Sequence, residues 1–165
     1  MAPSREDPFA VSMAAGKTKS KNKSATATYL ETMVRAWENA LDRRLLDPDH
    51  PIWRGVIDPS FTVIPTHPYD PIPLDFSQFM AHLRNMIASS EDSYRLKIHD
   101  MDTDVNEEAG TATVFMNLEV SGLPLGVTKP SVAVFRFRKG RDGNWRVTTY
   151  EAAEGIESAA GAAPT

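Results

Sequence analysis

From Tyr94 onward, apolar residues fall at every second position, whereas upstream they fall three and four apart. A chain that changes period once, and late, places its helices first and its strands afterwards. The period-two part divides into runs at about residues 94–104, 111–120, 131–139 and 145–151. The breaks between them read "NEEAG", "SGLPLGVTKP" and "KGRDGN", all rich in turn-forming residues. Links this short favour antiparallel neighbours. Phe135 and Phe137 share one face of their run and are assigned inward, with Arg136 and Arg138 outward. The same alternation puts Trp145, Val147 and Thr149 on one face.

The period-3.6 part holds two long helices. Thr28 and Glu31 have capping-box spacing. Leu30, Met33, Val34, Trp37, Leu41 and Leu45 then form an apolar stripe. Pro48 is expected to end this helix, because it disfavours helical geometry at Asp47. "DPDHPIWRGVIDPSF" predicts one or two helical turns, capped by Asp49 and opened by Pro51, followed by a short strand over 61–65. Asp75 and Gln78 repeat the capping-box spacing before a second stripe of Phe76, Phe79, Met80, Leu83 and Ile87, with His82 on its flank.

The 165 residues suit one domain with a real core, expected over 26–154 between disordered tails at 1–25 and 155–165. The first 24 residues carry five Lys or Arg against two acids, a net of +3, which leaves −7 on the rest. An acidic body argues against a nucleic-acid partner for the folded part. The basic "KTKSKNK" reads first as a solubilising tail and second as a nuclear or nucleic-acid address. There is no cysteine, and no apolar run approaches a membrane span, so a cytoplasmic protein without disulfides is expected.

Several motifs stop short of a site. In "DMDTDVNEE", Asp100, Asp102 and Asp104 match the opening ligands of a calcium loop, but Val105 stands where glycine is required and Thr111 where glutamate is. The four histidines lack metal-ligand spacing, so no metal is expected. No nucleophile elbow, phosphate loop or dinucleotide fingerprint is present, and no cofactor is expected.

In this order, "YLETMVRAWENALDRRLL", "IWRGVIDPSFTVIP", "DFSQFMAHLRNMI" and "SVAVFRFRKGRDGNWRVTTYEAAEG" resemble the nuclear-transport-factor-two-like superfamily, and within it the SnoaL-like proteins. The resemblance spans about residues 29–154 and lies in layout rather than in a sharp motif. It implies an α+β cone: a curved antiparallel sheet, of about four main strands plus a short first strand, wrapped around the long N-terminal helix. It also implies an open end that holds a small apolar molecule and a convex sheet face that forms a homodimer. Polyketide cyclases, ketosteroid isomerases and scytalone dehydratase belong to this group. The isomerases' aspartate, tyrosine and protonated acid do not map onto this chain, and neither Glu119 nor Asp100 sits in a cyclase motif.

Within such a cone, "TVIPTHPYDPIPLDF" would lie at the mouth, where its prolines stiffen either a pocket rim or a plain surface strap. The candidate acid–base residues are His67, His82 and Asp100. The candidate ligand-binding residues are Tyr69 and the apolar aromatics Trp37, Trp53, Phe61, Phe79, Phe115, Phe135 and Phe137, most of which serve equally well as core. Two functions are therefore expected. One is a cofactor-independent cyclase, isomerase or dehydratase acting on an apolar oxygenated metabolite. The other is a non-catalytic ligand-binding or homodimerisation module.

Overall fold

The computed structural model describes residues 23–64 and 72–154. Helix α1 spans Ala25–Asp42, a 3-10 turn Pro51–Trp53, strand β1 Ile57–Val63 and helix α2 Phe76–Ser89. Strands β2 (Arg95–Asn106), β3 (Thr111–Ser121), β4 (Thr128–Lys139) and β5 (Trp145–Glu154) follow. They form a single five-stranded sheet in the order β1-β5-β4-β3-β2. β2 to β5 are an antiparallel meander, while β1 pairs with β5 in parallel. The sheet is thus mixed, because β1 reaches its partner through the whole intervening domain rather than a short turn. The α+β order of helices followed by a meander is the one the period change predicts, and the sheet is curved as the resemblance implies, but it is mixed where an antiparallel sheet was expected, since β1 joins it in parallel.

α1 starts earlier and stops earlier than its sequence suggests. Ser24, not Thr28, is the N-cap, and its hydroxyl accepts from the Ala27 amide at 3.1 Å. The helix ends at Asp42, well before Pro48, because Arg44 takes up a left-handed backbone with φ of 60°. The Arg44 amide then bonds the Leu41 carbonyl and the Leu45 amide bonds that of Ala40, at 3.0 and 2.9 Å. This is the Schellman closure of a helix end, with arginine in the position where glycine is usual. In the 3-10 turn His50, rather than Asp49, provides the cap, through Nδ1.

α2 begins where expected. Asp75 accepts from the Gln78 amide at 2.8 Å, and the Gln78 side chain accepts from the Asp75 amide at 2.9 Å. Its buried residues, Phe79, Met80, Leu83 and Ile87, are four of the five in the anticipated stripe, while Phe76, in the first turn, is half-buried against the core. β1 begins four residues earlier than expected and contains Pro59, which an edge strand with a register shift accommodates.

Two strands carry one extra residue. In β2, Ile98 faces Leu118 and Asp100 faces Asn117, so His99 is a bulge. In β5, Val147 faces Phe137 and Thr149 faces Arg136, so Thr148 is a bulge. Each bulge inverts the alternation beyond it. Trp145 and Val147 share the inward face with Phe135 and Phe137, but past Thr148 the residue opposite Phe135 is Tyr150 rather than Thr149, so Thr149 does not keep the face assigned to it.

The core lies between the helices and the concave face, and Trp37 sits at its centre. It meets Trp53 and Phe135 edge-on at 5.3 Å and stacks on Tyr150. On the convex face, Asp58 receives both contacts of the Arg138 guanidinium at 3.1 Å, and Phe115 and Val132 stand exposed.

Candidate functional site

Beside this aromatic core is a cavity of about 430 Å³, a size suited to a small organic ligand. Its walls come from four parts of the chain. α1 contributes Leu41, and α2 contributes Phe79, His82, Leu83 and Met86. The sheet supplies Leu118, Val120, Ser131 and Tyr150, and Tyr94 stands at the joint between α2 and β2. Among the described residues, the two ends of the proline-rich connector also line it: Ile64 on one side, Ile72 and Leu74 on the other. Those ends are tied together by the Val63 amide donating to the Leu74 carbonyl at 2.8 Å.

The wall is mainly apolar, and its polar groups are few. Tyr94 and Tyr150 both line it, and neither phenol has a hydrogen-bond partner among the described residues. Tyr94 is carried by a closely bonded joint, in which the buried Ser90 hydroxyl accepts from the Tyr94 amide at 3.2 Å. Tyr150 is turned inward by the Thr148 bulge and held by Trp37 on one side and Phe135, at 5.0 Å, on the other.

The interior next to these tyrosines contains an acid. Glu38 lies on the buried stripe of α1, 6% exposed, and its Oε2 has no hydrogen-bond partner among the described residues. The adjacent Trp37 indole N–H is also buried without one among them. Leaving such groups unpaired costs about 1–3 kcal/mol each, so their presence calls for a reason beyond stability. Burial pushes the Glu38 carboxyl up to about 8, and the charge of Asp42, one turn along, adds to the rise. Glu38 is therefore mostly neutral at pH 7. Burial, and then the nearby Glu38 charge, hold both Tyr94 and Tyr150 well above the usual phenol range. Two phenols that stay protonated are permanent donors towards an oxygen in the cavity.

The residues anticipated from sequence are distributed as follows. His82 is exposed at the cavity wall. Asp100 stands on the convex face, accepting from Asn117 Nδ2 at 2.8 Å, and is not brought to the cavity. His67 and Tyr69 lie outside the described residues. Phe79 lines the cavity, whereas Trp37, Trp53, Phe61, Phe135 and Phe137 are buried in the core cluster. Phe115 is 46% exposed on the far side of the sheet, because Val114 and Met116 take the inward positions of β3. Asp100, Asp102 and Asp104 are all exposed on β2, and the described residues contain no cluster of acids and histidines able to hold a metal ion.

Glu38, Tyr94 and Tyr150 are the residues that sequence reasoning missed. The signal for Glu38 was a charged residue at helical spacing from Leu30 and Val34, inside an apolar stripe. Tyr150 had no such signal, since simple alternation turns it outward.

No protein-family model and no curated protein matches the sequence. Solved structures do. A protein with a cystatin-like fold from Caulobacter vibrioides superposes with a TM-score of 0.65 at 11% identity, covering 85% of this chain and 97% of its own. A candidate dehydratase of the NTF2-like family from Streptomyces avermitilis gives 0.58 at 19% identity, covering 79% and 96%. The CaMKII hub of S. rosetta gives 0.62 at 13% identity, covering 80% and 98%. Among the described residues, no helix is long and apolar enough to cross a membrane. With two helices packed into the hollow of one curved five-stranded sheet, and with these structures as its likenesses, the chain has the NTF2-like fold.

Proposed function

We propose that this chain binds a small, uncharged, oxygenated apolar molecule in the cavity, with Tyr94 and Tyr150 donating hydrogen bonds to one ligand oxygen. The observation that carries this reading is the pair of phenols, without a hydrogen-bond partner among the described residues, on an otherwise greasy wall. A ligand carbonyl or hydroxyl satisfies both, and the surrounding Leu41, Leu83, Met86 and Leu118 receive its carbon frame. Donors fixed in a water-poor site bind most strongly to an oxygen that is gaining negative charge. That favours enolisation, and with it isomerisation, cyclisation or dehydration. Glu38 is the interior group whose proton exchanges near neutral pH. The dehydratase likeness supports the same class of reaction. His82, at the wall, supplies a second polar anchor for a ligand reaching outward. Asp100 faces the other way and takes no part.

The test is equilibrium binding of 2-naphthol, a flat aromatic with one oxygen, followed by its fluorescence. Wild type should saturate, and Tyr94→Phe and Tyr150→Phe should each weaken binding by about tenfold, the loss of one hydrogen bond. Equal affinity in all three proteins would remove the tyrosines from the reading. Absence of wild-type binding would remove the cavity.

The non-catalytic alternative, a homodimerisation module, is favoured by a separate observation. Phe115 and Val132 are large apolar side chains exposed on adjacent strands of the convex face. The likeness to a CaMKII hub is compatible with it. Sedimentation of wild type against Phe115→Lys tests this: a dimer that becomes a monomer supports it, and a monomeric wild type excludes it.

A further inference from the structure

The end of α1 and the joint that carries Tyr94 are fastened by one side chain. Arg44 Nε donates to Asp92 Oδ1 at 2.8 Å. Its Nη2 donates to the carbonyls of Asp92 and Tyr94 at 3.2 and 2.9 Å. Its Nη1 donates to the Leu41 carbonyl at 3.1 Å. Leu41 and Tyr94 both line the cavity. A single planar guanidinium thus sets the spacing between a wall residue of the helix and a wall residue of the sheet.

Arg44 occupies a position that disfavours it. At φ of 60° a non-glycine residue carries a backbone penalty that glycine lacks, and the Schellman closure around it asks for glycine. The joint it grips is similarly held, with Glu91 and Asp92 at φ of 50° and 64°. Backbone economy therefore does not explain the arginine, whereas its side-chain bonds do. Arg95 also donates to the Asp92 and Tyr94 carbonyls, at 2.9 and 2.7 Å. It belongs to the joint itself, however, and ties nothing to α1.

We propose that Arg44 is the positioning residue of the cavity, fixing Tyr94 against Leu41 so that the phenol meets the ligand oxygen. This rests on the reading that Tyr94 is a ligand donor, and the experiment separates the two. Arg44→Gly suits the backbone and deletes only the side chain, and Arg44→Asn, also tolerant of this conformation, serves as the second variant. The protein is labelled with 3-fluorotyrosine, and the Tyr94 resonance is identified by its loss in Tyr94→Phe. In both variants the Tyr94 fluorine signal should move or broaden while that of Tyr150 stays in place. The affinity for 2-naphthol should fall about tenfold, and Arg44→Lys should recover part of it.

An unmoved Tyr94 signal overturns the proposal. So does an unchanged affinity despite a moved signal. Collapse of every tyrosine signal in both variants also overturns it, since Arg44 would then hold the whole fold rather than one residue. If wild type fails to bind 2-naphthol, the functional reading falls, while the Tyr94 signal still decides the positioning role.

Discussion

Trp37 stacks on Tyr150, with ring centroids 5.9 Å apart and planes inclined by 23°. The stack makes the body of Tyr150 part of the core while its hydroxyl remains without a described partner. Ring and hydroxyl can therefore be tested apart. Tyr150→Phe keeps the stack and should leave stability within about 1 kcal/mol of wild type. Trp37→Ala removes the centre of the aromatic cluster and should cost about 3–5 kcal/mol. Urea unfolding measures both, and equal losses would contradict this division.

Glu38 should make stability fall as pH rises. Its carboxyl is raised from 4.5 to about 8, so between those values the folded state binds the proton more tightly than the unfolded state. Stability then declines with pH across that window and levels off above it. Glu38→Gln, neutral throughout, should flatten the decline and stabilise the protein at pH 9 by about 2–4 kcal/mol. Chemical denaturation at a series of pH values is the check, and identical profiles would mean that Glu38 titrates normally.

Asp58 should act in the opposite direction. Burial pushes its carboxyl up, but the Ser60 hydroxyl and amide together with Arg138 outweigh this and hold it below the usual carboxylate range. Its contribution is present above the ordinary aspartate range and is lost as pH falls. Asp58→Asn should therefore destabilise at pH 7 and lose that effect in acid, which thermal melts at pH 7 and pH 3 will show.

At the start of α2, Asp75→Ala removes one half of a reciprocal cap and should cost about 1 kcal/mol. Gln78→Ala removes the other half, and the double variant should lose less than the sum. Additive losses in urea titrations would indicate that the two bonds act independently.

The sequence carried the sheet meander and α2 well, for local reasons. Alternating runs need a half-buried strand, and the Asp75–Gln78 cap is complete within four residues. It carried the end of α1 poorly. Pro48 is a conspicuous stop, but Arg44 terminates the helix earlier through bonds to residues some fifty positions away. Of the candidate site residues, only the buried Phe79 and the exposed His82 line the cavity among the described residues, together with the ends of the connector. Tyr150 escaped because its orientation depends on Thr148 lying opposite no residue of β4, which a pairing register decides and composition does not. Glu38 was readable in principle, as an acid within an apolar stripe, but its protonation depends on how completely the fold dries it.

The bulge at Thr148 makes the chemistry of the hollow depend on chain length rather than on side-chain identity. Deleting that one residue would restore strict alternation, sending the tyrosine outdoors and bringing a neighbour in, with every other letter of the strand unchanged. Relatives that share this scaffold can thus exchange a phenol for a different functional group by gaining or losing a single position. Gaps in an alignment at this strand are then as informative about what lines the hollow as substitutions are.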